Sequence, residues 1–305
     1  MDISFVIPAF NEEEFLPLCL NSIAKYCSDY EFEIILIDNG STDSTAQLAT
    51  DLGAKVIVKP EGTISSLRNT GAKHSSGNIL IFLDADIELT QQWHSEFVKI
   101  YPTVKEQPIL TGSQAATPTP PTFLEKFWFE EFYKKQEITH LGSAHLILSR
   151  KCFDMIGGFN EALETGEDYD FCQRAKKANI NLMNNISLRV VHHGFPKRIS
   201  DFIKRESWHG KSDFTSLQSL LNSKVAIASV IFFVSHLILL FALLTSNWFV
   251  GSLAFLAILG LLSMSIITKY SHSNFTAKAV NLLIFYFYYV GRTWSGLKVL
   301  KEKLN

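Results

Sequence analysis

Apolar residues follow two rhythms along this chain, and the change falls near residue 215. Ile3 to Ala9, Phe32 to Asp38, Lys55 to Val58 and Asn78 to Asp84 are short runs rich in Ile, Val and Phe, as expected of strands buried on both faces. Between them Leu16, Leu20, Ile23 and Cys27 recur at helical spacing, and Asp43 to Leu52 and Ile64 to Ser76 read as further helices. Such alternation predicts right-handed βαβ units, hence an α/β domain over residues 1–215 with a mostly parallel sheet flanked by helices. Beyond it, Val225 to Leu244 runs about twenty residues without a formal charge, long enough to cross a bilayer as a helix. Trp248 to Thr268 repeats the pattern, and the Thr245-Ser246-Asn247 link leaves room only for a tight antiparallel hairpin.

Residues 216–305 therefore read as a membrane domain. A third apolar stretch, Ala279 to Gly291, is short for a span before Arg292 interrupts it, and its helix, continued to about 297, is interfacial or spanning. Lys197, Arg198, Lys204, Arg205, Lys211 and Lys224 precede the first span, and Lys298, Lys301 and Lys303 come near the end of the chain. Two spans with both basic ends inside, and the catalytic domain cytoplasmic, satisfy the positive-inside rule. His236 in the first span reads as a neutral residue facing another helix.

Composition sharpens this. Hydrophobic residues make up 47% of the chain and the formal net charge is −2, which supplies no basic field for a nucleic acid. Cys19, Cys27, Cys152 and Cys172 form no CxxC pair, and nothing at the start reads as a secretory signal, so reduced, buried thiols in a cytosolic domain are expected.

In an open α/β sheet, ligands collect beyond the carboxyl ends of the strands. Those ends carry Pro8-Ala9-Phe10-Asn11-Glu12, Asp38 with Gly40-Ser41-Thr42-Asp43, the loop from Pro60 to Gly71, and Asp84-Ala85-Asp86. If the strand persists, Asp84 and Asp86 point to one side and can share a hard divalent cation. Asp38 can accept hydrogen bonds from a base, whereas Ser41 and Asp43 read as helix caps. Arg68 counters a carboxylate or contacts a nucleotide, and Gly71 permits close helix packing. Ala115 to Lys135 opens as a Pro/Thr loop and turns into an aromatic helix, either a flap or membrane-surface helix near the acceptor or an ordinary packed one.

The segments PAFNEE, IDNGSTDST and RNTGAKHSSGNILIFLDAD, in this order, resemble the family 2 glycosyltransferases of GT-A fold, over most of residues 1–210. The resemblance implies a Rossmann-like GT-A domain in which Pro8, Ala9, Phe10, Asn11, Glu12 and Asp38 hold the base and ribose of a nucleotide. It implies that Arg68 and Asn69 sit by that nucleotide, and that Asp84, Ala85 and Asp86 form the metal-diphosphate motif for Mg2+ or Mn2+. GSAHLILSRKCFDMIGGFNEALETGEDYDFCQRA resembles the family's acceptor half, where a Gly-Gly-Phe turn precedes an acidic pair opening a helix. Asp168 is then the expected catalytic base, with Glu167 beside it. Without the resemblance, Glu167, Asp168 and Asp170 read as complements to a helix dipole. A histidine of His192-His193-Gly194 can complete the metal shell; the spacing does not choose between the two, and His193 is carried as the candidate ligand. Arg205 to Gly210 resembles the family's QxxRW element, but the Gln is absent, which argues against processive synthesis; Trp208 equally reads as an anchor at the membrane surface.

The expected activity is metal-dependent, inverting transfer of a sugar from a nucleotide-diphosphate donor to a hydroxyl or phosphate, with a membrane lipid or lipid-linked acceptor. One base and no second nucleophile favour direct displacement. A sugar-phosphate nucleotidyltransferase requires a glycine-rich phosphate loop after the first strand, which PAFNEE is not. A membrane scaffold retaining an inactive transferase domain is the non-enzymatic alternative.

Overall fold

The computed structural model describes residues 1–130 and 140–304. The chain divides into two compact units, Met1–Thr119 with Lys135–Phe195, and Pro120–Lys134 with Pro196–Asn305. The sheet unit thus ends at Phe195 rather than near residue 215, and part of the Pro/Thr-rich segment belongs with the C-terminal helices.

The first unit runs β1 (Ile3–Ala9), α1 (Leu16–Tyr26), β2 (Phe32–Asp38), α2 (Thr45–Asp51), β3 (Lys55–Val58), α3 (Ile64–Lys73), β4 (Ile79–Leu83), β5 (Ile87–Leu89), α4 (Gln91–Glu106) and β6 (Ile109–Gly112). It continues with β7 (His145–Ser149), α5 (Arg150–Ile156), α6 (Glu167–Lys177), β8 (Asn181–Asn184) and β9 (Val190–His192). Among the described residues, one seven-stranded sheet has the order β3-β2-β1-β4-β7-β6-β8. It is mixed but mostly parallel: β7 runs antiparallel to its neighbours β4 and β6, and the other strands point one way. The carboxyl ends of β1, β2 and β4 therefore share one edge. A separate antiparallel pair, β5 and β9, sets Ile87 opposite His192 and carries the histidine pair back towards the end of β4.

β1 and β4 are buried along their whole length, which is why their apolar runs lack alternation. α3 lies close on β1 because Gly71 has no side chain: a Cβ there would stand 2.3 Å from Val6 Cγ1. Gly71→Ala should cost about 1–3 kcal/mol by overpacking, read as a lowered thermal midpoint of the purified chain.

All four cysteines are buried and free. Beneath the sheet edge, the fully buried His145 accepts a hydrogen bond from Trp93 Nε1 at 2.9 Å through Nε2. Its Nδ1 faces Ser113 Oγ at 3.0 Å, and that hydroxyl donates to Leu188 O. Burial lowers the His145 pKa to about 3. The folded value lies below the unfolded 6.5, so the stabilisation is complete above pH 6.5 and is lost as pH falls towards 3, by up to about 1.4 kcal/mol per pH unit. A flatter stability profile over that window in His145→Gln than in wild type is the expected result.

In the second unit, residues 123–130 form a short helical segment with a π turn at Glu125–Phe129. The carbonyls of Phe127 and Trp128 accept bonds from Asn281 Nδ2 (2.8 Å) and Tyr270 Oη (3.0 Å). Within the described residues this part of the aromatic segment is packed, as an ordinary helix would be; its continuation through Lys135 lies outside them. There follow α7 (Ile199–His209), α8 (Leu217–Asn222), α9 (Lys224–Leu244), α10 (Trp248–Lys269) and α11 (Phe275–Leu304). Among the described residues, α9 and α10 are long and apolar enough to cross a membrane, with mean hydropathies of 2.7 and 2.3. They form the expected hairpin, in which Ser246 takes φ 52° and Asn247 Oδ1 caps α10 at Val250 N. His236 bonds within its own helix to Phe232 O at 2.8 Å, a structural role.

The third apolar stretch is longer than its sequence suggested: α11 passes through Arg292 without a break. Arg292 is matched there by Glu206 at 3.1 Å and Asp213 at 3.6 Å, so the charge does not end the helix. Glu206, 3% exposed, is also paired with Arg205 at 2.7 Å. The segment resembling QxxRW thus anchors α11, while Trp208 remains exposed.

Candidate functional site

Beyond β1 and β2 the chain makes two turns that hold each other. Asn11 adopts φ 56° and accepts a bond from Thr42 N at 2.8 Å, while its own N–H donates to Ser41 Oγ at 2.9 Å. The Asp38 carboxylate, almost fully buried, accepts from Ser41 N at 3.1 Å and from the Ser41 hydroxyl. Asp38 therefore braces this turn, Pro8 and Ala9 lie inside β1, and Phe10 stands exposed at the rim. Asp43 serves the start of α2, accepting from Thr45 N at 3.0 Å, in keeping with capping. Glu12 stays with these turns through its N–H, which donates to Thr45 Oγ1 at 2.8 Å, and burial first, then the charges of Asp86 and Asp84, push its carboxyl up to about 8.

β4 ends at Leu83, so Asp84 and Asp86 do not share a strand face; Asp84-Ala85-Asp86 is instead the turn into β5, closed by Ile87 N donating to Asp84 O at 3.1 Å. The two aspartates have different surroundings. Asp84 Oδ1 accepts from Arg68 Nη2 at 2.7 Å. Asp86 Oδ2 lies 3.2 Å from His192 Nε2, and its buried Oδ1 has no hydrogen-bond partner. Burial first and Asp84 second raise Asp86 to about 7. The approach of the β9 loop depends on Gly194, where a Cβ would stand 1.9 Å from Asp86 Oδ2.

The two histidines separate. His192 is on Asp86, whereas His193, carried as the metal ligand, is held at Glu88 by a 2.8 Å contact and lies over the Phe15 ring at 6.0 Å. Both histidines thus meet acidic groups here: His192 faces the Asp86 carboxylate, and His193, whose N–H donates to Asp86 O at 2.9 Å, has its ring on Glu88.

These residues fit a hard cation. Two half-buried carboxylates at one turn, with one Asp86 oxygen buried and unpartnered, favour a divalent ion with oxygen ligands. Among the described residues, no three His, Cys, Asp or Glu side chains are grouped to hold a metal by themselves. That suits an ion bound through one or two carboxylates and completed by phosphate oxygens.

On the far side of Arg68 stands Glu167, whose Oε1 accepts from Arg68 Nη1 and from Ser143 Oγ, both at 3.0 Å. Arg68 is 2% exposed and counters two carboxylates, the first of the roles its sequence allowed. Asn69 Oδ1 accepts from Phe159 N at 2.8 Å and its Nδ2 donates to Phe159 O at 2.9 Å, fixing the turn at Gly157 and Gly158, both at positive φ. Gly166, at φ 78°, delivers α6 with Glu167 as its first residue. Asp168 follows, partly exposed, with Oδ1 on Tyr169 N at 2.7 Å and Oδ2 3.8 Å from His140 Nε2. Asp170 is structural, paired with Arg174 at 2.8 Å. Ser143 and His140 carry no signal in the sequence, and Gly194, part of the His192-His193-Gly194 motif, has a role there that only the structure reveals.

Residues 4–148 match the family described as Glycosyl transferase family 2. Glycosyltransferase AglE of Haloferax volcanii is 28% identical over 191 residues, 59% of this chain and 63% of that protein. The undecaprenyl-phosphate 4-deoxy-4-formamido-L-arabinose transferase of Pseudomonas fluorescens is 37% identical over 95 residues, 28% of each chain. The matched region is thus less than two thirds of either relative. Among solved structures, the mannosyltransferase PcManGT from Pyrobaculum calidifontis, in complex with GDP-Man and Mn2+, has a TM-score of 0.53 at 17% identity, over 98% of this chain and 84% of that one. S. aureus TarS 1–349 in complex with UDP-GlcNAc has 0.51 at 16%, over 99% and 91%. At such identities the likeness is one of fold, and that fold is GT-A.

Proposed function

We propose that this chain, a member of glycosyl transferase family 2 through its residues 4–148, moves a sugar from a nucleotide-diphosphate donor to a membrane lipid or lipid-linked acceptor, with inversion and with a divalent cation. One observation carries the reading: Arg68 joins the cation-suited turn at the end of β4 to the helix that bears Asp168, so a donor site and a base belong to one connected unit. The lipid acceptor is supported by the two apolar helices and by the undecaprenyl-phosphate named for one relative. The basic residues flanking the spans support a cytoplasmic catalytic unit.

Asp86, with Asp84, would hold Mg2+ or Mn2+, and His192 would stand beside them. The cation, when bound, offsets the negative charge of the diphosphate. Asp38, the turn at Asn11 and the exposed Phe10 offer a rim for the nucleoside. Asp168 takes the proton of an acceptor hydroxyl as its oxygen bonds to the anomeric carbon and the carbon–diphosphate bond breaks; an ionised phosphate acceptor needs no such base.

Detergent-purified protein incubated with UDP- and GDP-sugars, Mn2+ or Mg2+ and a membrane lipid extract should release nucleoside diphosphate only when lipid is present. Silence across the panel despite cation-dependent nucleotide binding would favour an inactive scaffold; lipid-independent release would remove the lipid acceptor.

A further inference from the structure

We infer that Arg68 is a positioning residue which makes the placement of the base helix depend on the donor side, rather than a ligand of the donor itself. The inference rests on the transferase reading above and extends it.

The two carboxylates that Arg68 bridges differ in access. Asp84 is 32% exposed at its side chain and can meet a bound ligand; Glu167 is 11% exposed and is already shared between Arg68 and Ser143. A change at Asp84 therefore has one route through Arg68, and it ends at the first residue of α6. The guanidinium is 2% exposed, with Nη2 at 2.7 Å from Asp84 and Nη1 at 3.0 Å from Glu167. Its carbon lies 5.6 Å from the centre of the Phe159 ring, which stacks on Phe171 of α6 at 4.3 Å. The planar fork, wedged on the same aromatic pair that packs α6, holds both carboxylates at a fixed separation; an ammonium group is a single point and cannot. Asp168 is the residue after Glu167, so a tightened Asp84 to Arg68 to Glu167 chain orders the turn on which the base stands.

The test is hydrogen–deuterium exchange of peptides covering residues 166–177 in the full chain, with UDP or GDP plus Mn2+ as the probe. Each protein is measured at a probe concentration that saturates it, so that altered affinity does not enter. In wild type the probe should slow exchange at the start of α6 by about tenfold. Arg68→Met, Arg68→Lys and Glu167→Met should lose that slowing even when saturated. If Arg68→Met does not fold, Glu167→Met decides, because it leaves the pair of Arg68 with Asp84 intact. Slowing that persists in Glu167→Met, or wild type that binds the probe without slowing, overturns the inference and leaves the transferase reading standing. Wild type that binds neither nucleotide instead overturns the donor reading, and the inference with it.

Discussion

With a hydroxyl acceptor, turnover in Asp168→Asn should fall by about 10²–10⁴-fold, the usual value of a general base, while nucleotide binding changes little. The substitution preserves shape, and the amide oxygen can still accept from Tyr169 N, the bond that Asp168 Oδ1 makes at 2.7 Å. Only the capacity to take a proton is removed. Asp168 is also separate from the carboxylates that suit a cation, so donor affinity measured by calorimetry with Mn2+ should remain within a few-fold of wild type. Equal turnover in the two proteins would exclude Asp168 as base for a hydroxyl acceptor.

Asp86→Asn should do two opposite things. Cation-dependent nucleotide binding should weaken by about 100-fold or more, since this carboxylate has a buried oxygen without a hydrogen-bond partner at the turn after β4. The ligand-free protein should nevertheless become more stable near pH 8. Asp86 titrates at about 7 when folded, above its ordinary 3.8, so its relative stabilisation is complete below pH 4 and lost as pH rises through 7. Removing the charge should recover on the order of 2–4 kcal/mol at pH 8 and nothing near pH 3.5. Matched thermal unfolding at the two pH values, without cation, reads the difference. A variant that is destabilised at pH 8 would show that Asp86 is held by partners rather than strained by neighbours.

The sheet was legible where burial leaves no ambiguity. β1, β2 and β3 begin and end where their apolar runs do, and β4 is one residue shorter at each end; β1 and β4 are covered on both faces and so must be apolar throughout, whereas β3, the edge strand, leaves Lys55 and Val58 exposed. The DxD turn, Asp38 and the acidic pair were legible because they stand at strand ends or at the start of a helix. What joins them was not. Arg68 meets Asp84 and Glu167 across 16 and 99 residues, and His192 reaches Asp86 only because β9 pairs with β5; local pattern holds no record of such pairings. Glu12 follows Asn11 in the sequence, but burial first, and then the charges of Asp86 and Asp84 from the turn after β4, raise its carboxyl, which no local pattern records. For the same reason Arg292 read as an interruption: its partners Glu206 and Asp213 lie on other segments of the chain.

The most direct measurement follows the sugar itself. Wild type and Asp168→Asn are incubated with UDP- or GDP-sugar, Mn2+ and membrane lipids, and the organic phase is analysed by mass spectrometry. Wild type should yield a lipid species heavier by one sugar residue, and where the acceptor group is a hydroxyl the variant should yield little or none. Nucleoside diphosphate release with no sugar entering the lipid phase would contradict transfer to a lipid.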